Sequence, residues 1–297
     1  MADTVTADRR RRMGGADVTR DAGPFRRFVS DRLAATGLTV VGLLALAAVF
    51  APLLAPHDPS AIDPLQRLRP RSALYPLGTD ELGRDVLSRL LFGARWSLGI
   101  AALATIAVMM VGTAVGIVTG YFGGWIDAFV MRVVDALLAL PSLVLYLAII
   151  GTLGPGIRNV FIALVSVSWA SYARVVRGLV LSVREYQFVR ASRSLGASDP
   201  RLMVRHILPN VISPIVILAS LQLGGMILAL AALGFFGLGA QPPTPEWGTM
   251  INQGRLFLQT NPGLMVYPGI AISLAVLGFN LIGDGLRDIL DPRLAHR

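Results

Sequence analysis

The chain contains no cysteine, and none of its 27 basic residues is a lysine. The first absence excludes a disulfide framework and any thiolate metal site. The second excludes a Gly-x-x-x-x-Gly-Lys-Ser/Thr phosphate loop, so the chain does not hydrolyse nucleotide by that route. Histidine is scarce too. His57, His206 and His296 stand far apart, with no zinc or haem spacing. Charge is scarce as a class: 15% of the 297 residues, against 54% apolar. That balance is characteristic of membrane proteins. A net charge of +9 would point to nucleic acid in a soluble chain. In a membrane chain it fits loops that face anionic lipid.

The apolar residues are gathered into runs of bilayer length. Residues 33–56 carry no charge and match the ~20 residues a span requires. A long polar lead-in precedes this run, and Pro52 and Pro56 occupy the place of a small-residue cleavage site. The run therefore reads as a first transmembrane helix and not as a cleavable signal. Five more spans are expected near 96–121, 126–153, 159–181, 211–236 and 264–283. The resulting division is a polar tail at 1–32, the first span at 33–56 and an outer loop at 57–95. A five-helix core follows at 96–286, and a short tail at 287–297.

Arginine sets the expected orientation. Residues 174–205 hold seven arginines against Glu185 and Asp199, and the first 32 residues hold eight against five acids. The outer loop has six arginines, but five acids accompany them. The positive-inside rule places both termini and the 182–210 segment in the cytosol.

That segment is a polar island between apolar runs. Tyr186–Leu195 reads as a helix with an apolar stripe of Phe188, Ala191 and Leu195. Gly196 is placed to stop it in the left-handed conformation. Asp199 suits an N-cap and Pro200 the first position of a second helix. Pro209 should end or kink that helix. A short helix joined to spans on both sides can transmit a push. A DNA-binding helix-turn-helix is the weaker reading, because the island is only some 30 residues long and tethered at both ends. A solvated loop is the plain alternative.

Other features receive readings of their own. Residues 84–96 present Val86, Leu87, Leu90 and Leu91 on one face, with Asp85 and Arg89 able to pair on the other. This predicts an interfacial helix on the outer leaflet that turns inward at Trp96. Asp127, Arg132 and Asp135 read as a cytoplasmic brace, with Arg132 paired to Asp135; Asp284 and Arg287 read as a similar clamp. Gly112, Gly116 and Gly120 share one helix face that another helix can approach closely. The middle of the membrane is read as holding only neutral polar side chains: Thr105, Ser142, Ser166, Ser168, Ser220, Gln222 and Asn280. A proton- or sodium-coupled carrier usually carries ionisable groups there.

Several blocks bear a family resemblance. Arg190-Ala191-Ser192, three residues, Gly196, nine residues and then His206-Ile207-Leu208-Pro209 resemble the "EAA" motif of ABC importer permeases. Arg190 replaces that motif's acidic residue, Ser192 its second alanine and His206 its isoleucine. The blocks 76–89, 120–135, 245–250 and 283–293 resemble the dipeptide/oligopeptide "C" class, in matching order over roughly residues 25–293. The resemblance implies an all-α integral membrane protein of six transmembrane helices, the type I ABC importer permease fold with a cytoplasmic coupling helix. It implies that Arg190, Ala191, Ser192, Gly196, His206, Leu208 and Pro209 couple to an ATPase. It further implies a homologous second permease and two ATP-binding subunits that carry ATP and Mg, leaving this chain without a cofactor. An extracytoplasmic substrate-binding protein would meet Asp80, Arg84, Asp85, Glu246 and Trp247. Membrane lipid is a partner and nucleic acid is not. The location is a bacterial plasma (inner) membrane. Dipeptides, longer peptides, glutathione, haem and nickel chelates are all substrates in that family. Outside it, a stand-alone secondary carrier or channel and a membrane scaffold are the competing classes.

Overall fold

The computed structural model describes residues 31–290. The polar tail before residue 31 and the Asp291-Pro292-Arg293 end of the last motif block lie outside the described residues. Within them the chain is helical: α1 (Arg32–Val49), α2 (Ala51–Leu54), α3 (Val86–Phe122), α4 (Gly124–Leu138), α5 (Ser142–Leu153), α6 (Ile157–Val183), α7 (Gln187–Ser194), α8 (Asp199–Leu202), α9 (Leu208–Phe235), α10 (Trp247–Gly254) and α11 (Gly263–Leu290). α1, α3, α6, α9 and α11 are each long and apolar enough to cross a membrane, and α4 with α5 forms a broken sixth span.

The core is the contact of α3 with α6. A Cβ on Gly112 would stand 2.4 Å from Tyr172 Cβ, and one on Gly116 would stand 2.7 Å from Val176 Cβ. Gly120 meets Val180 in the same way, at 2.8 Å. Three glycines four apart thus bring two backbones together, and dispersion contacts replace the missing side chains. The glycine face is buried within this chain. α9 keys into the same core, where the Tyr172 hydroxyl donates to the Ile215 carbonyl at 2.8 Å. α11 packs between α9 and α1, crossing α1 where Gly37 meets Gly278.

Three expectations are corrected. First, no separate interfacial helix exists at 84–96. Residues 86–122 form one 37-residue helix that passes Trp96 without a turn. Its outer turns need no membrane surface, because Val86 and Ser88, Arg89 and Gly93 are all buried under the 57–85 loop and α10. Second, 126–153 is not one straight span. α4 and α5 meet at 91°. Leu140 precedes Pro141, which disfavours the helical conformation at Leu140 and removes an N–H from the next turn. Third, Pro209 does not end the helix. α8 runs into α9 through a π-turn at Met203–Ile207, in which the Leu208 N–H reaches back to the Met203 carbonyl. The wider turn accommodates the proline ring in a continuous helix.

Candidate functional site

α7 is held at one end of the bundle by a single inward side chain. Tyr186 caps it in an extended conformation, and Val189 is buried. At the other end Gly196 has φ +88°. The Gly196 N–H donates to the Arg193 carbonyl at 3.0 Å and the Ala197 N–H to the Ser192 carbonyl at 3.1 Å. That is a Schellman closure, and the left-handed residue at its centre favours glycine. The expected stripe is not the buried face: Phe188, Ala191 and Leu195 all point outward, with Leu195 88% exposed. Arg190 is exposed and paired with Glu185, whose carboxyl it holds below the usual range. Ser192, His206 and Leu208 are half-buried and Pro209 is exposed. The His206 ring lies 6.4 Å from that of Phe188. The motif residues therefore surround one outward patch that is both apolar and basic.

Two residues outside the motif fasten this patch to the bundle. The Tyr121 hydroxyl, in the last turn of α3, donates to Asp199. Arg193 lies over the Tyr121 ring at 5.1 Å, within cation–π range. Asp199 is thus the first residue of α8 and not its cap; Ser198 takes the cap position. Arg184 Nη1 donates to the Gly120 carbonyl at 2.8 Å, satisfying an end of α3. Neither contact with the end of α3 carries a local signal in the sequence, because Asp199 is 78 positions from Tyr121 and Arg184 is 64 from Gly120.

The brace uses other partners than expected. Asp135 pairs with Arg174 of α6, not with Arg132, which is exposed. Asp127 takes Arg177 of α6, with Nη2 at 2.6 Å from Oδ2. α4 therefore turns Asp127 and Asp135 toward α6 and leaves Arg132 facing away. Arg174 and Arg177 both stand in the second half of α6. Asp284 and Arg287 are exposed and form no ion pair among the described residues.

At the opposite end, the residues expected to meet a binding protein are internal. Asp80, Arg84, Asp85, Glu246 and Trp247 are each at most 4% exposed. They cannot form a contact surface; they hold the outer loop to the bundle. Arg84 Nε donates to Asp80 Oδ2 at 2.7 Å, and Arg89 Nε approaches the same oxygen at 3.3 Å. Arg89 Nη2 donates to Gln253 Oε1 of α10 at 2.8 Å. Asp85 caps α3 through the Ser88 N–H, which leaves it unpaired with Arg89. Glu246 caps α10 and accepts from Gly248 N–H, Thr249 N–H, the Thr249 hydroxyl and Ser97. Burial pushes its carboxyl above the usual range against the pull of these donors. Trp247 lies against Gly93, where a Cβ would stand 2.9 Å from its ring, and its Nε1–H donates to the Leu90 carbonyl. Beside this lock is an open groove of about 660 Å³ lined by Pro52, His57, Phe92, Trp96 and Pro245.

The chain is similar in sequence to known transport proteins. The family described as "Binding-protein-dependent transport system inner membrane component" matches residues 112–296. The N-terminal TM domain of oligopeptide transport permease C matches residues 19–70. The dipeptide transport system permease protein DppC of Alkalihalophilus pseudofirmus is 43% identical over 270 residues, 91% of this chain and 89% of that one. The glutathione transport system permease protein GsiD of Pectobacterium atrosepticum is also 43% identical, over 91% of this chain and 90% of its own. The probable D,D-dipeptide transport system permease protein DdpC of Escherichia coli is 44% identical, over 88% of each chain.

Proposed function

Because this chain belongs to the family of binding-protein-dependent transport system inner membrane components, we propose that it is one of two permease subunits of an ATP-driven ABC importer of peptides. It is a multi-pass membrane transport permease. The further assembly is a homologous second permease that completes the pathway and two ATP-binding subunits that carry ATP and Mg. An extracytoplasmic binding protein delivers the substrate at the groove end. The membrane is the bacterial plasma membrane, with the arginine-rich α7 end in the cytosol.

The observation that carries the coupling role is the α7 patch. A short helix with outward Phe188, Leu195 and Arg190 is closed by Gly196 and fastened through Asp199 to α3. A surface that is apolar and basic suits docking into a subunit groove, and its rigid attachment can convert ATPase closure into helix movement. Dipeptide and glutathione permeases are similar to this chain to the same degree, which favours short peptides as a class.

The test is a mild-detergent pull-down of the tagged chain from its native membranes. Recovery with a sister permease and ATPase subunits is expected. Reproducible recovery of the folded chain alone would move the reading to a stand-alone carrier.

A further inference from the structure

The importer reading leaves the substrate's contact with this chain unassigned, and the Arg174–Asp135 pair has properties that a structural brace does not need. α6 runs from Ile157 to Val183, so its midpoint is Ala170. Arg174 lies about 6 Å beyond that midpoint at the helical rise per residue. A charge within a spanning helix must be paired or face protein or water, because hydrocarbon excludes it. It is paired, yet the two side chains are 47% and 64% exposed. A brace between helices would be covered by them.

The surroundings indicate what they face. Ser171, Arg174, Gly178 and Ser182 are exposed at spacings of three and four, so they lie on one face of α6, joined there by Val175 alone among large apolar residues. The outward face of α3 at the same level, fixed by the pairing of Gly112 with Tyr172 and of Gly120 with Val180, is built from Met110, Val111, Ala114 and Val118, apolar as lipid contact requires. The α6 face is polar or small over about three turns. Beside it, the elbow between α4 and α5 leaves Ala139, Leu140, Pro141 and Ser142 all exposed.

We propose that this face of α6 and the α4–α5 elbow form the wall of the aqueous translocation pathway, and that Arg174 and Asp135 bind the carboxylate and ammonium termini of a zwitterionic peptide in transit. The inference rests on the importer reading. Arg174 offers a planar fork of donors that matches a carboxylate, and Asp135 accepts from an ammonium. In the resting chain the two satisfy each other. A peptide exchanges one ion pair for two, so passage leaves no charge uncompensated in the pathway, and release restores the original pair. The site would select for free termini and be indifferent to side chains.

The chain has no cysteine, so a single introduced thiol is the only one in this chain, and labelling is read on this chain after the subunits are separated. The experiment uses the assembled transporter in inside-out vesicles, with Ser171→Cys or Gly178→Cys in this chain and a membrane-impermeant cationic thiosulfonate as probe. Both positions should react in the absence of ATP, while Met110→Cys on the apolar face of α3 should not. A free dipeptide should slow labelling, and the same dipeptide blocked as its N-acetyl amide should not. In an Arg174→Gln background labelling should persist, but protection should weaken about tenfold or more, the loss expected for a charge-assisted hydrogen bond. Arg174→Lys should restore part of it. Failure of both thiols to react in an intact complex would overturn the pathway assignment and leave the importer reading standing. Labelling that both peptides slow equally, or neither, would overturn the terminus site. Absence of the complex itself would instead remove the importer reading on which the proposal rests.

Discussion

The phenol of Tyr121 donates a hydrogen bond to the carboxylate of Asp199, 78 positions further along the chain. Tyr121 ends the central helix α3, and Asp199 begins the turn that follows α7. With Arg193 over the Tyr121 ring, this contact ties the outward patch to the glycine-packed core, alongside the hydrogen bond from Arg184 to the Gly120 carbonyl.

Tyr121→Phe removes that donor and keeps the ring. It should cost about 1 kcal/mol of stability, the usual net value of one hydrogen bond. Its larger effect should be on coupling: ATPase activity of the assembled transporter should persist while peptide uptake falls. Parallel measurement of both rates in proteoliposomes checks this. Equal loss of both would mark a folding defect.

Gly196 has open space around its missing Cβ, so a side chain there meets no neighbour. The penalty of Gly196→Val is conformational, of the order of 1–2 kcal/mol for a left-handed residue. Uptake should fall with ATPase activity retained. Gly196→Asn tolerates the left-handed region and should keep most of the uptake. If valine transports as well as glycine, α7 does not couple.

Asp80 is the anion between Arg84 and Arg89, both buried. Asp80→Ala leaves two guanidinium groups in the interior facing only Glu81 and Gln253. Breaking a buried pair from one side costs about 3–5 kcal/mol. The variant should melt well below the parent in detergent, and the outer loop should become sensitive to protease. An Asp80→Ala chain as stable as the parent would show that the lock is not structural.

Glu246 is pushed above the ordinary glutamate range by burial. Between the ordinary and the raised value, its folded form therefore holds a proton that the unfolded form has released. The stability this confers is complete below the ordinary glutamate value and is lost as pH rises through the raised one. The melting temperature should decline across that window. Glu246→Gln should abolish this decline. It should also lower the melting temperature at acid pH, because its amide nitrogen must face the N–H of Gly248 or Thr249, an unmet donor worth about 1–3 kcal/mol. A variant with the parent's pH slope would place the titration elsewhere.

What the sequence determined by itself was local. Apolar runs located the spans, because span length is a property of the bilayer. Gly196 marked the end of α7, because the left-handed conformation is a property of one residue. The glycines at 112, 116 and 120 announced a close helix contact, though not that Tyr172, Val176 and Val180 would fill it. What tertiary structure decided was which distant groups meet. Arg132 is three residues from Asp135, yet Asp135 takes Arg174, because the packing of α4 against α6 sets the distance between charges and sequence spacing does not. Residues 84–96 have the pattern of a surface helix, yet from Val86 on they are the start of α3 under a loop, where Arg89 meets Asp80 of that loop and Gln253 of α10. An amphipathic pattern states that one face is polar. Whether that face meets water or a buried counter-charge depends on chain that arrives from elsewhere, and only the assembled bundle brings it there.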